Sequence, residues 1–203
     1  MNTKEKILSE ALKLFAQKGY SDVYVKDIAM MVNIKAPSLY KHFKNKQEIF
    51  DNCIKTFYEK MNKKRNTLLL PKNSVDNEIY LHKSRTDIIH IAQELFEFYL
   101  LDEIASNFRK MLLIDRYKDH NINRLYEQIF IDDPISYQIE VFSLLLSSNK
   151  VKFGNATDMA NAFYSQIYFL LQKYDEKKEK LEDAKKEIEI FINVFCNIWG
   201  IKE

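Results

Sequence analysis

The stretch Val25–Lys46, VKDIAMMVNIKAPSLYKHFKNK, describes two short helices across a tight turn, the second half basic and free of acid. Val25, Ile28, Ala29 and Val32 fall at the i, i+3, i+4, i+7 spacing of one buried helix face. Asn33 stops that helix, because its short amide side chain tolerates left-handed backbone geometry. Ile34 plugs the turn. Pro37 has a fixed φ and no N–H to donate, so it belongs in the first turn of a new helix, which is expected to begin near Ala36 and run to about Phe43. Leu39 and Phe43 then point inward together. The outer side presents Lys35, Ser38, Lys41 and His42, followed by Lys44 and Lys46, a row of donors without a carboxylate. Such a surface suits the phosphate backbone of a nucleic acid.

Working outward, these residues resemble the TetR family of transcriptional regulators. The resemblance is carried by an amphipathic first helix ending in Phe15, Gly19 and Tyr20, by Asp27-Ile28-Ala29, by Leu39-Tyr40-Lys41-His42-Phe43 and by Lys44-Asn45-Lys46. Two positions depart from the family pattern: Tyr24 stands where Ser or Thr usually caps the second helix, and Asn33 where Gly is frequent. The resemblance implies an all-α fold, with a three-helix helix-turn-helix DNA-binding domain over residues 1–48 and a helical ligand-binding and dimerisation domain over 49–203. It also implies a homodimer on a near-palindromic double-stranded operator and a small-molecule effector. Lys26, Lys35, Ala36, Pro37, Ser38, Tyr40, Lys41, His42, Lys44 and Lys46 are the expected DNA-binding residues. Lys41 is best placed for base edges, and Ser38, Tyr40, His42, Lys44 and Lys46 for phosphates.

Composition agrees with long helices. The 203 residues are 46% hydrophobic, enough for a core, and hold only three Gly and three Pro, too few for many turns. No run approaches the roughly 18 to 20 apolar residues of a spanning helix. Met1 leads straight into Asn2-Thr3-Lys4-Glu5-Lys6 without an apolar signal core, so a cytoplasmic protein is expected. Cys53 and Cys196 lie far apart on apolar stretches without CxxC spacing and read as small core residues. His82, His90 and His120 lack partners at ligand spacing, and His90 shares a face with Glu94 and Glu97, so no metal, cofactor or catalytic group is expected.

Charge is unevenly placed. Residues 1–65 carry a net charge of +7 and the remainder −5, which makes the N-terminal third the nucleic-acid-facing part. The first helix is read over residues 3–18, with Ile7, Leu8, Ala11, Leu12, Leu14 and Phe15 facing in and Gly19 as its stop. The fourth opens at Asn45, which caps it while Glu48 reaches back, and runs to Lys63-Lys64-Arg65. Lys46 at that helix N-terminus reads as a phosphate clamp. Between Asn66 and Arg85 the pattern breaks at Pro71, Asn73, Ser74, Asp76 and Asn77, the composition of a connection. Helices are expected thereafter over 86–101, 103–119, 121–131, 134–149, 157–173 and 178–199. Asp133 is read as a cap before Pro134, and Asn155 as the start of the next helix.

The last two helices carry apolar residues around most of their circumference, more than one core covers. Phe163, Ile167, Leu170, Phe191, Phe195 and Trp199 are the expected dimer interface, a four-helix arrangement of two copies. Phe96, Tyr99, Phe108, Met111, Tyr126, Tyr137 and Phe142 are large residues of the middle helices, and they are the expected lining of a ligand cavity. The functional reading is a DNA-binding transcriptional repressor released by an effector. A similar DNA-binding protein controlled by a partner protein, or by nothing, stays open beside it.

Overall fold

The structure is a computed structural model that describes residues 2–71 and 74–202, with backbone alone for 74–76. Met1 and Asn73 lie outside the described residues, as do the side chains of Ser74 and Asp76. Among the described residues ten α-helices follow in order: α1 (Thr3–Lys18), α2 (Val25–Val32), α3 (Ala36–Leu39), α4 (Lys46–Thr67), α5 (Arg85–Leu101), α6 (Glu103–Asp115), α7 (His120–Glu127), α8 (Asp133–Ser147), α9 (Ala156–Tyr174) and α10 (Leu181–Trp199). The fold is all-α, and one isolated antiparallel bridge, Val151 to Ile201, is the extended pairing among the described residues. No described helix is long and apolar enough to cross a membrane.

The helix ends have local causes. At α1, Glu5 N–H donates to Asn2 Oδ1 at 2.9 Å and Asn2 N–H to the Glu5 carboxylate at 2.9 Å, satisfying two donors that a helix start leaves unpaired. Gly19 ends it at φ 87°, its N–H closing on Phe15 C=O at 2.8 Å. The same reciprocal pairing of Ser84 with Asp87 starts α5, one residue before the expected Thr86. Asn155 Oδ1 accepts from Thr157 and Asp158 N–H at the start of α9, as its spacing implied.

Two expectations are corrected. Asp133 is not an extended cap: the backbone passes from α7 through a π-helical turn, Gln128–Asp132, straight into α8, with Asp132 itself helical at φ −71°, ψ −51°. A proline breaks a helix where its nitrogen falls inside a regular ladder, whereas Pro134 stands in the first turn of α8, directly after the wider π-turn. The segment after Pro71 is not a plain connection either. Ser74–His82 forms a 3₁₀ helix, in which Asn77 is buried and Tyr80 meets the hydroxyl of Tyr137 at 2.8 Å.

The chain divides into two compact units, one formed by the residues up to Lys63 with Asp102–Glu127, the other by Lys64–Leu101 with the residues from Gln128 onward. In the first, Ile7, Phe15, Ile28, Leu39, Ile49 and Phe57 are closed off together with Phe108, Met111, Leu112 and Tyr126 from α6 and α7. Phe57 and Phe108 stack at 4.3 Å with planes 18° apart. The second unit has two apolar clusters. One joins Phe96 and Leu100 of α5 to Leu170, Leu171 and Tyr174 of α9 and Ile188 and Ile192 of α10. The other gathers Phe142, Val151, Met159, Ala160 and Phe195. Cys53 and Cys196 are free and buried, and burial pushes the pKa of the Cys53 thiol up to about 12. Both are packing residues, as their settings in the sequence indicated.

Phe108 is wholly enclosed. Phe108→Ala should therefore cost about 3–5 kcal/mol through lost burial and a residual cavity. Tyr117→Ala, 88% exposed, should change stability by less than about 0.5 kcal/mol. Urea unfolding of the two variants checks the contrast, and equal losses would contradict this account of the core.

Candidate nucleic-acid interface

The interface is built on the turn between α2 and α3. Asn33 sits at φ 59°, ψ 47°, and its N–H and that of Ile34 close on the last carbonyls of α2, Met30 and Ala29, each at 3.0 Å. The left-handed residue reverses the chain within one step, and Pro37 stands in the first turn of α3. α3 is shorter than expected. Its α-helical part stops at Leu39, and the chain then tightens through bonds from Lys41 N–H to Ser38 C=O and from His42 and Phe43 N–H to Leu39 C=O. Leu39 and Phe43 are both buried, so the inward pair holds even though the helix tightens between them.

The start of α2 shows the consequence of Tyr24. Asp27 Oδ2 accepts from Tyr24 N–H at 2.9 Å, while the tyrosine side chain makes no cap bond and stands 64% exposed. Half of the usual reciprocal cap is present. The phenol instead lies beside Lys26, whose ammonium is 5.4 Å from the ring centre.

Of the expected contact residues, Lys26, Lys35, Pro37, Tyr40, Lys41 and Lys44 are exposed, and Ala36, Ser38, His42 and Lys46 are half-buried. Among the described residues, the ammonium groups of Lys35, Lys41 and Lys44 are left without a carboxylate partner. Lys4, from the first turn of α1, adds a cation that sequence reading missed, its ammonium 5.2 Å from the Phe43 ring. No local pattern announces it, because only the fold brings α1 to the end of the reading segment.

Lys46 is placed differently. Its ammonium donates to Tyr20 C=O at 2.8 Å and Val23 C=O at 2.9 Å and lies 4.3 Å from the Tyr20 ring centre. Burial pulls it below the usual lysine range, against the opposing attraction of Asp115 and Asp22. In the free chain, then, the Lys46 ammonium donates to carbonyls of the α1–α2 turn. Asn45 does cap α4, accepting from Glu48 N–H at 2.8 Å, but the Glu48 carboxylate reaches back to Lys44 N–H.

The remaining expected residues are sorted by packing. Leu170 and Phe195 are buried within the chain itself. Phe163, Ile167, Phe191 and Trp199 pack partly against the same cores. The apolar side chains left outside are Phe169 on α9 and Ile190, Val194 and Ile198 on α10. Of the expected ligand residues, Phe108, Met111 and Tyr126 belong to the first unit, and Phe96, Tyr99, Tyr137 and Phe142 belong to the second. Phe96 and Phe142 are core residues there. Tyr99 and Tyr137 stay partly accessible, the latter with the Arg65 guanidinium 4.9 Å from its ring centre. A groove of about 410 Å³ runs between Ile131 and Ile135 on one side and Asn161, Tyr164, Ser165 and Tyr168 on the other, and none of the expected seven lines it.

Comparison with known proteins places this arrangement. Residues 7–53 match the family described as bacterial regulatory proteins, tetR family. Over 97% of its length the chain is 27% identical to the biofilm operon icaADBC HTH-type negative transcriptional regulator IcaR of Staphylococcus aureus, of which 98% is covered. IcaR of Staphylococcus epidermidis is 29% identical over 86% of this chain and 100% of its own. Among solved structures, the SmeT–triclosan complex superposes with a TM-score of 0.69 at 16% identity, covering 97% of this chain and 90% of that one. The TetR-family regulator PfmR of Thermus thermophilus gives 0.66 at 16% identity, with 96% of each chain covered. The helix-turn-helix, the all-helical remainder and these likenesses agree and support a TetR-family transcriptional regulator.

Proposed function

We propose that this regulator is a cytosolic dimeric repressor that reads a near-palindromic operator through α3 and leaves it when a small molecule binds the second unit. The observation that carries the reading is the exposed, carboxylate-free set Lys35, Lys41 and Lys44 around a short helix. Lys35, Ala36, Pro37, Ser38, Tyr40 and Lys41 face the major groove, with Lys41 reaching base edges. Tyr40, His42, Lys44 and Lys26 hold phosphates. Negative regulation is supported by the IcaR relatives, which are negative transcriptional regulators and align over nearly the whole chain.

Two copies pair through α9 and α10, where Phe169, Ile190, Val194 and Ile198 stand exposed, each at least half. Their heads then meet successive major grooves about 34–36 Å apart. Effector control is supported by the habit of the family and by SmeT, a fold neighbour captured with triclosan. Tyr99 and Tyr137, two of the partly accessible tyrosines of the second unit, would orient such a molecule. A second reading, control by a partner protein or by none, draws support from the packing of Phe96 and Phe142 as ordinary core.

Selection from a random duplex pool should return an inverted repeat. On that operator, Lys44→Ala should lower the salt slope by about one unit, Lys41→Ala should in addition relax sequence preference, and Lys46→Ala should leave the slope unchanged. A slope lowered equally by Lys44→Ala and Lys46→Ala would return Lys46 to the phosphates.

Ile190→Glu should yield folded monomers in sedimentation at micromolar concentration, because the side chain is 64% exposed in one protomer and a carboxylate in an apolar interface costs several kcal/mol. A folded dimer would move the interface elsewhere.

An effector whose affinity differs about 100-fold between the operator-bound and the released form of the dimer supplies roughly 2.7 kcal/mol, and by linkage operator DNA weakens its binding by the same factor. Tyr137→Phe should change that coupling while leaving effector-free operator affinity within about tenfold. Titration with and without operator decides, and equal affinities for every candidate ligand would favour the partner-controlled reading.

A further inference from the structure

The turn that enters the reading pair is held from two sides by opposite charges. Asp115, the last residue of α6, is fully buried, and its Oδ2 accepts from Ser21 N–H at 3.1 Å. From the other side Lys46 donates to the carbonyls of Tyr20 and Val23. The turn's N–H thus faces an anion and its C=O groups a cation, so each charge is matched to the end of the peptide dipole it attracts. Gly19 makes the approach possible: a Cβ there would lie 2.8 Å from both Asp115 oxygens. A further link, Lys118 to Asp22 at 2.8 Å, is exposed and contributes little on its own.

A buried carboxylate carries a desolvation cost that must be met by partners, and Asp115 Oδ1 has no hydrogen bond, with Lys118 Nζ 3.9 Å away. A Leu or Met at this place would pack without that cost. The carboxylate is therefore better explained by what it fixes than by stability. What it fixes is the backbone immediately before α2, and through Val23 and Ile28 the pose of α2 and α3 in the core.

We infer that Asp115 is a positioning residue for DNA reading: with Lys46 it locks the Tyr20–Val23 turn and so sets the angle at which α3 is presented. The reading head is then incomplete without a residue from α6, far outside the 7–53 stretch that matches the family model. The inference rests on the docking mode proposed above.

The test uses the full-length protein, the operator selected from the random pool and an unrelated duplex at the same salt. Asp115→Ala should lower operator affinity by about tenfold or more while the unrelated duplex, held by phosphate contacts alone, stays within about threefold. Ser21 amide exchange should quicken by about the same tenfold. Asp115→Asn keeps an acceptor for Ser21 N–H and should bring both readouts back to within about threefold of the parent. A fall of both DNA affinities by one common factor in a folded variant leaves their ratio unchanged and would overturn the inference. Lys46→Met, at a half-exposed position, probes the other side of the clamp should the alanine variant not fold, and it should lower the same ratio. An unchanged ratio in a folded Asp115→Ala or Lys46→Met variant overturns the inference. Lys41→Ala separates the two failures: if it alone lowers the ratio, the docking mode stands and the clamp falls, and if it too has no effect, both fall.

Discussion

The enclosure of α6 among the N-terminal helices is the constraint on which the rest depends, because a reading pair as short as α2 and α3 cannot close a core by itself. Eight residues and four residues supply Ile28, Ala29, Val32 and Leu39 as buried anchors. Helices of that length are not stable alone in water, and most of their stability must come from tertiary packing. Phe15 and Phe57 bring α1 and α4 to the same core, and Phe108, Met111 and Leu112 of α6 complete it. The basic surface is consequently carried on a rigid support, which a contact that must hold within ångströms of a base edge requires.

Electrostatics follow the same division of labour. The cations that stay outside, Lys35, Lys41 and Lys44, have their donors open to solvent or phosphate. Lys46 is bound to backbone carbonyls and works as structure. A net charge of +7 over residues 1–65 therefore overstates the charge presented to a nucleic acid, since it counts groups of both kinds.

The local features were legible because their causes are local. Thr3–Lys18 with its Gly19 stop, the left-handed Asn33, the start of α3 beside Pro37 and the Asn155 cap all rest on residues within one turn of each other. What stayed hidden depended on distant partners. Asp115 and Ser21 are 94 positions apart, and nothing near either announces the other. Lys46 was rightly placed at a helix start, yet only the fold brings the Tyr20 and Val23 carbonyls to it. On α9 and α10 apolar residues surround the helix, so periodicity alone does not separate Leu170 and Phe195, which face the protomer core, from Phe169 and Val194, which do not. The large residues of the middle helices stand out by size, and size does not reveal that packing distributes them over two units.

One surplus residue in a helix advances every later side chain by roughly 100° around the axis. The π-helical turn at Gln128–Asp132 is thus a phase shifter between its own buried pair, Ile129 and Phe130, and the stripe of α8 that buries Val141 and Phe142. Such a turn leaves a carbonyl without its regular partner, and here the Tyr164 hydroxyl donates to Phe130 C=O at 2.6 Å. Deleting one residue of the turn would restore an unbroken α-helix and leave that hydroxyl without its acceptor. It would also rotate the buried stripe of α8 out of phase with Ile129 and Phe130, so the length of this segment is under as strict a constraint as the identity of any core residue.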